Sequence, residues 1–120
     1  MSNSTPDRPT YTAYIRSPAW RRKREQYWAS KMPKDCYVCG TARAPGFHLH
    51  HRTYKNLGNE RLMDLTPVCE PCHSLIHRVQ RSDPERWRRA GLWAVTKWVR
   101  KHYRRALHEY PTNKQRAASR

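Results

Sequence analysis

Residues 36–77 read CYVCGTARAPGFHLHHRTYKNLGNERLMDLTPVCEPCHSLIH, and the fold turns on how these thiols and imidazoles are shared out. Two Cys-x-x-Cys pairs, Cys36/Cys39 and Cys69/Cys72, bracket the pair His50/His51. The second cysteine pair runs straight into His73 and His77. A two-residue spacer lets both sulfurs of a turn point at one ion, and structural zinc takes four ligands tetrahedrally. One zinc shared by the four thiolates is therefore expected. Residues 40–68 separate the pairs, more than the roughly 15–20 of simple zinc motifs, so a folded insert carrying His50 and His51 is expected between them. Two disulfides are the weaker reading. These are the only cysteines in the chain, no signal-peptide pattern is read ahead of them, and a reducing cytoplasm is the expected setting.

His73 and His77 are four apart, which sets them on one face of a helix, one turn from each other. Leu75, Ile76 and Val79 supply that helix with an apolar face. Phe47-His48-Leu49 alternates and predicts a short strand running into His50 and His51. Successive strand residues face opposite ways. Only one of His50 and His51 can then join a ligand set on a given face, a division that suits one metal ligand and one general base. The bland alternative is that all four histidines only supplement zinc binding or stabilise the fold.

The pattern His-His-x-Thr-Tyr, Gly-x-Glu, Asp-Leu-x-x-x-Cys-x-x-Cys-His-x-x-x-His resembles the HNH endonucleases, in the small four-cysteine form found in phages and prophages. The resemblance covers residues 10 to 80. It implies a small α+β fold, a ββα-metal finger stapled by the four-cysteine zinc site and flanked by an N-terminal and a C-terminal helix. It implies that His50, His73 and His77 hold one catalytic divalent cation (Mg2+, Mn2+, Ni2+ or Zn2+) and that His51 is the general base. Asp64 stands where the family's asparagine is usual, nine residues before His73. It is expected to accept a hydrogen bond from His51 or to bind the metal; the alternative is a cap or turn residue before the strand 65–68. Such a site would hydrolyse DNA, with double-stranded DNA and phage packaging proteins as the implied partners.

Charge agrees with a polyanionic partner. Lysine and arginine total 25 against nine acids, for +16 in 120 residues. That field attracts nucleic acid and makes binding steeply salt-dependent. No long apolar run argues for a membrane. Arg21, Arg22, Lys23 and Arg24 oppose the dipole of the helix they open; with Arg52 and Lys55 they are the expected phosphate contacts, the alternative for residues 21–24 being a solvated face. With a hydrophobic fraction of 37% the chain is expected to need its zinc as a staple.

One domain is expected over residues 14–108, between a disordered N-terminal tail, 1–13, and a basic disordered tail, 109–120. Ser17 and Pro18 predict a helix start, and the helix is expected to reach about Lys31, with Trp20, Tyr27 and Trp28 on one face. Ser82-x-x-Glu85 reads as a capping box opening a helix to about Leu107, with Leu92, Val95 and Val99 as its apolar stripe. Two functions compete with the nuclease: a zinc-stapled nucleic-acid binder with a dead site, and a zinc ribbon for protein contacts. Intact histidines argue against the first and the charge against the second.

Overall fold

A computed structural model describes residues 10–118. Residues 1–9 and 119–120, and with them most of the expected leading tail, lie outside the described residues, as does the Leu92 side chain. Helix α1 spans Tyr11–Ile15 and α2 spans Pro18–Ala29. Both start on hydroxyl caps. Thr10 Oγ1 accepts from the Ala13 N–H at 3.2 Å, and Ser17 Oγ accepts from the Trp20 N–H at 3.2 Å. Pro18 at the first helical position lacks an N–H that would have had no partner anyway. α2 stops short of Lys31 because Ser30 turns extended and sends its hydroxyl back to the Tyr27 carbonyl at 2.6 Å.

Strand β1 (His48–His51) pairs antiparallel with β2 (Leu65–Val68), His48 opposite Val68 and His51 opposite Leu65. Helix α3 (Glu70–Ser82) follows at once, with Cys69 as its N-cap residue. Two strands alone are marginal in water, and here they are covered from two sides. Trp20 and Tyr27 of α2, with Tyr14 of α1, cluster with Leu49 and Leu65. Val68 joins Leu75, Ile76 and Val79 of α3 and Trp87, Val95 and Val99 beyond it in the larger core. The described chain is thus a small α+β structure of helices packed around one two-stranded sheet.

The long helix expected from Ser82 to Leu107 is three: α4 (Pro84–Ala90), α5 (Leu92–Lys101) and α6 (Tyr103–Glu109). Gly91, at φ +96°, breaks the first junction in a conformation that side chains resist. The breaks fold α5 back onto α3, which buries Val95 and Val99 completely; a straight rod could not. The capping box is also displaced. Ser82 ends α3 and donates its hydroxyl to the Val79 carbonyl at 2.6 Å, while Asp83 Oδ1 accepts from the Arg86 N–H at 3.2 Å.

Two short helices occupy stretches expected as tails. α1 covers residues 11–13, and its Tyr14 is buried. α7 (Asn113–Ala118) starts on a reciprocal pair: the Thr112 N–H donates to Gln115 Oε1 at 2.8 Å, and the Gln115 N–H to Thr112 Oγ1 at 3.0 Å.

Candidate functional site

The four cysteines converge. Cys36 and Cys39 lie on a turn closed by the Gly40 N–H to the Cys36 carbonyl at 2.9 Å and tied to β2 by the Tyr37 N–H to the Pro67 carbonyl at 2.9 Å. Cys69 and Cys72 open α3. All four sulfurs lie within 4.8 Å of one another, and none is in a disulfide. Cys39 Sγ and Cys69 Sγ are 3.7 Å apart. Two sulfurs at about 2.3 Å from one ion at a tetrahedral angle are separated by roughly 3.8 Å, so the spacing suits a shared metal. A hydrogen bond from Cys72 holds Cys36 down to about 4, and Cys72 is pushed up in return. A cation would remove that conflict by stabilising every thiolate.

β1 divides its histidines between two sides. On the α3 side, the His50 ring lies 5.8 Å from the His73 ring and 6.3 Å from His77. His73 Nε2 and His77 Nε2 are 3.2 Å apart, within the roughly 3.0–3.4 Å subtended by two nitrogens at about 2.1 Å from one ion. His50 Nε2 is buried with no hydrogen-bond partner among the described residues. Such an orphan normally has an explanation, and a metal ligand is one. Burial first, then the surrounding imidazoles, push His50 down to about 3; burial and His48 push His73 down to about 4. Both are thus kept neutral, the form that binds metal.

His48 and Glu70 also belong to this face, which the sequence reading missed. His48 Nε2 bonds the Glu70 carboxylate, and the His48 ring stacks on His73 at 4.0 Å. His48, Glu70 and His73 offer ligand atoms within 4.8 Å of one another; of the three expected cation ligands only His73 is in that group. The signal was present, since His48 and His50 are two apart on one strand and must share a face.

On the other side, His51 meets Glu60, not Asp64. His51 Nε2 lies 2.8 Å from Glu60 Oε2, and the Tyr14 hydroxyl donates to Glu60 Oε1 at 2.6 Å. The side chains of His51 and Glu60 are 1% and 0% exposed. Facing an ionised Glu60, which only accepts, Nε2 would carry the ring proton and Nδ1 would be left able to take another. Trp20 stacks on the ring at 4.9 Å.

The expected Asp64–His51 bond is corrected accordingly. The Asp64 carboxylate closes a 3-10 turn at Leu62–Asp64, accepting from the Asn56 side chain, the Arg61 N–H and the Arg61 guanidinium, each at 2.9 Å. Burial pushes Asp64 up, but those bonds outweigh it and hold the group below its ordinary range. The turn reading of Asp64 is the one its contacts match. Asp64→Ala is expected to cost about 1–3 kcal/mol in urea unfolding by stranding the Arg61 N–H, with the Glu60–His51 contact kept.

The residues of β1 and α3 that face each other line a cleft of about 760 Å³ with Tyr11, Trp20, Arg24 and His51. Glu70 is the one acid in its lining. Of the expected phosphate contacts, only Arg24 lines it. Arg21 and Arg22 are exposed beside it in sequence, Lys23 is half-buried, and Lys55 is exposed in the loop after β1. Arg52 serves the fold: its Nε donates to Thr66 Oγ1 at 2.7 Å, and its guanidinium lies 4.5 Å from the centre of the Trp93 ring.

Among the described residues, no helix is long and apolar enough to cross a membrane. No protein-family model, curated protein or solved structure matches the chain.

Proposed function

We propose that this chain is a metal-dependent DNA endonuclease of the HNH type, hydrolysing phosphodiester bonds of double-stranded DNA, with β1, β2 and α3 as its ββα-metal finger. One observation carries the reading. Adjacent residues of one strand are given opposite tasks beside one cleft: His50 keeps an orphaned buried Nε2 next to His73 and His77, while His51 is held by Glu60.

His50, His73 and His77 are the residues that would hold a divalent cation. When bound there, it would supply Lewis-acid stabilisation of charge on the phosphate oxygens. An all-imidazole set favours nickel or zinc over magnesium. His51 acts at the opposite end of the reaction, taking a proton from water at Nδ1. Glu60 fixes the tautomer by accepting from Nε2 and stabilises the imidazolium that forms; Tyr14 fixes Glu60, and Trp20 holds the ring plane. The four cysteines hold a structural zinc. The +16 charge draws in the polyanion. A cytoplasmic setting follows from the four cysteines being kept as thiols, and phage packaging proteins as partners follow from the resemblance.

The test is incubation of the purified protein with supercoiled plasmid and magnesium, manganese, nickel or zinc. Nicked or linear plasmid is the expected result. Plasmid that is retarded but intact with every ion would make the protein a binder and not a nuclease.

A further inference from the structure

A second cationic site lies at the far end of α3. We propose that Arg78, Arg81 and Arg116 form a phosphate subsite that grips the DNA backbone beyond the scissile bond; this rests on the nuclease reading for its partner. The three arginines line a cleft of about 360 Å³ with Ser82, Tyr110 and Asn113, and among the described residues no carboxylate lines it.

Arg78 is pre-set. Its Nε donates to the Tyr110 carbonyl and its Nη1 to Ser74 Oγ, both at 2.8 Å. Those bonds use two of the five guanidinium protons and leave the rest of the fork for a ligand. Some surface arginines have carboxylate partners: Arg88 and Arg89 pair with Glu85, and Arg105 with Glu109. No ion pair to Arg78, Arg81 or Arg116 occurs among the described residues. Arg78, Arg81 and Arg116 line this one cleft, like charges gathered without a counter-ion among the described residues. A phosphodiester would relieve that repulsion with charge-assisted bonds.

Position selects the backbone as the source of the phosphate. His73, His77 and Arg81 follow one another four apart along α3, about 6 Å of helix axis per step. A strand leaving the cleft along this face meets Arg81 next. Arg116 comes from α7, the C-terminal helix that the Arg78–Tyr110 bond helps to hold. The site thus gives the C-terminal stretch a task.

The test measures affinity for a short duplex against salt between about 50 and 200 mM, in the non-cutting His51→Ala protein. Each phosphate contact contributes about 0.9 to the slope of log K against log salt. Arg81→Ala with Arg116→Ala is expected to reduce that slope by about two and Arg81→Gln alone by about one, with zinc content and circular dichroism unchanged. Lysine at both positions should keep the slope. Identical slope and affinity in the alanine variant would overturn the subsite. So would inorganic phosphate that shifts the Arg81 and Arg116 resonances while the alanine changes leave duplex binding unaltered; the pocket would then take free phosphate. If the slope falls as expected but wild type cuts no plasmid, the subsite stands and the nuclease reading fails. Cutting with an unaltered slope does the reverse.

Discussion

His51→Ala is expected to lower the nicking rate about 10²- to 10⁴-fold while affinity for DNA is retained. On the proposed reading the imidazole would act on water and not on the position of the phosphate, so its loss should leave the electrostatic grip intact. Glu60 gives the finer probe. Its carboxylate joins His51 Nε2 and the Tyr14 hydroxyl with no exposure to solvent. Glu60→Ala strands both groups, at about 1–3 kcal/mol for each buried partner left unsatisfied, and frees the His51 ring to adopt the wrong tautomer. Glu60→Gln keeps an acceptor for Nε2–H and should recover much of the activity that alanine loses. Rates and urea unfolding measured on the same preparations separate the two effects. If glutamine and alanine are equally inactive while glutamine is fully stable, Glu60 acts through its charge and not through the orientation of His51.

Cys69→Ser is expected to abolish the cooperative fold. Zinc binding in small structural sites is worth about 10–16 kcal/mol near neutral pH, comparable to or larger than the about 5–15 kcal/mol by which whole domains are stable. Position deepens the loss. Cys69 is the N-cap residue of α3, and its carbonyl accepts from the His73 N–H at 2.9 Å. Serine keeps that carbonyl, so the expected loss is that of the zinc ligand, which would fasten the start of the helix that carries His73 and His77. Zinc content, near-ultraviolet dichroism and the melting temperature before and after strong chelation are the measurements. Protein that holds no zinc and melts unchanged after chelation would remove the staple from the account.

The parts legible in the sequence are those written in local chemistry. Ser17 and Pro18 announce α2 because a hydroxyl cap and a pre-set φ need only their own neighbours. Cys36/Cys39 and Cys69/Cys72 announce their convergence because the two-residue spacing has few other uses. His50 and His51 announce their division because a strand alternates. The parts missed depend on tertiary context. Glu60 and Asp64 are the two acids between His51 and β2, and motif position favoured Asp64. Which carboxylate reaches His51 is decided by the 3-10 turn that draws Asp64 onto Arg61, and by Tyr14, forty-six residues away from Glu60 in the chain. Gly91 was a visible break signal inside an apolar stripe that otherwise read as one helix. The stripe won in the reading because periodicity does not say where a helix must fold back. His48 joins the site through the strand's two-residue repeat with His50 and through Glu70 at the start of α3, a contact that only the pairing of β1 with β2 brings about.

The division of labour between His50 and His51 is tested most directly by initial nicking rate against divalent-ion concentration for wild type, His50→Ala and His51→Ala. Added ion is expected to restore His50→Ala in part, because lost affinity can be offset by mass action. No ion concentration is expected to restore His51→Ala, because an ion does not replace a positioned proton acceptor. A His51→Ala protein that nicks at the wild-type rate, or recovers with metal in step with His50→Ala, would contradict that division.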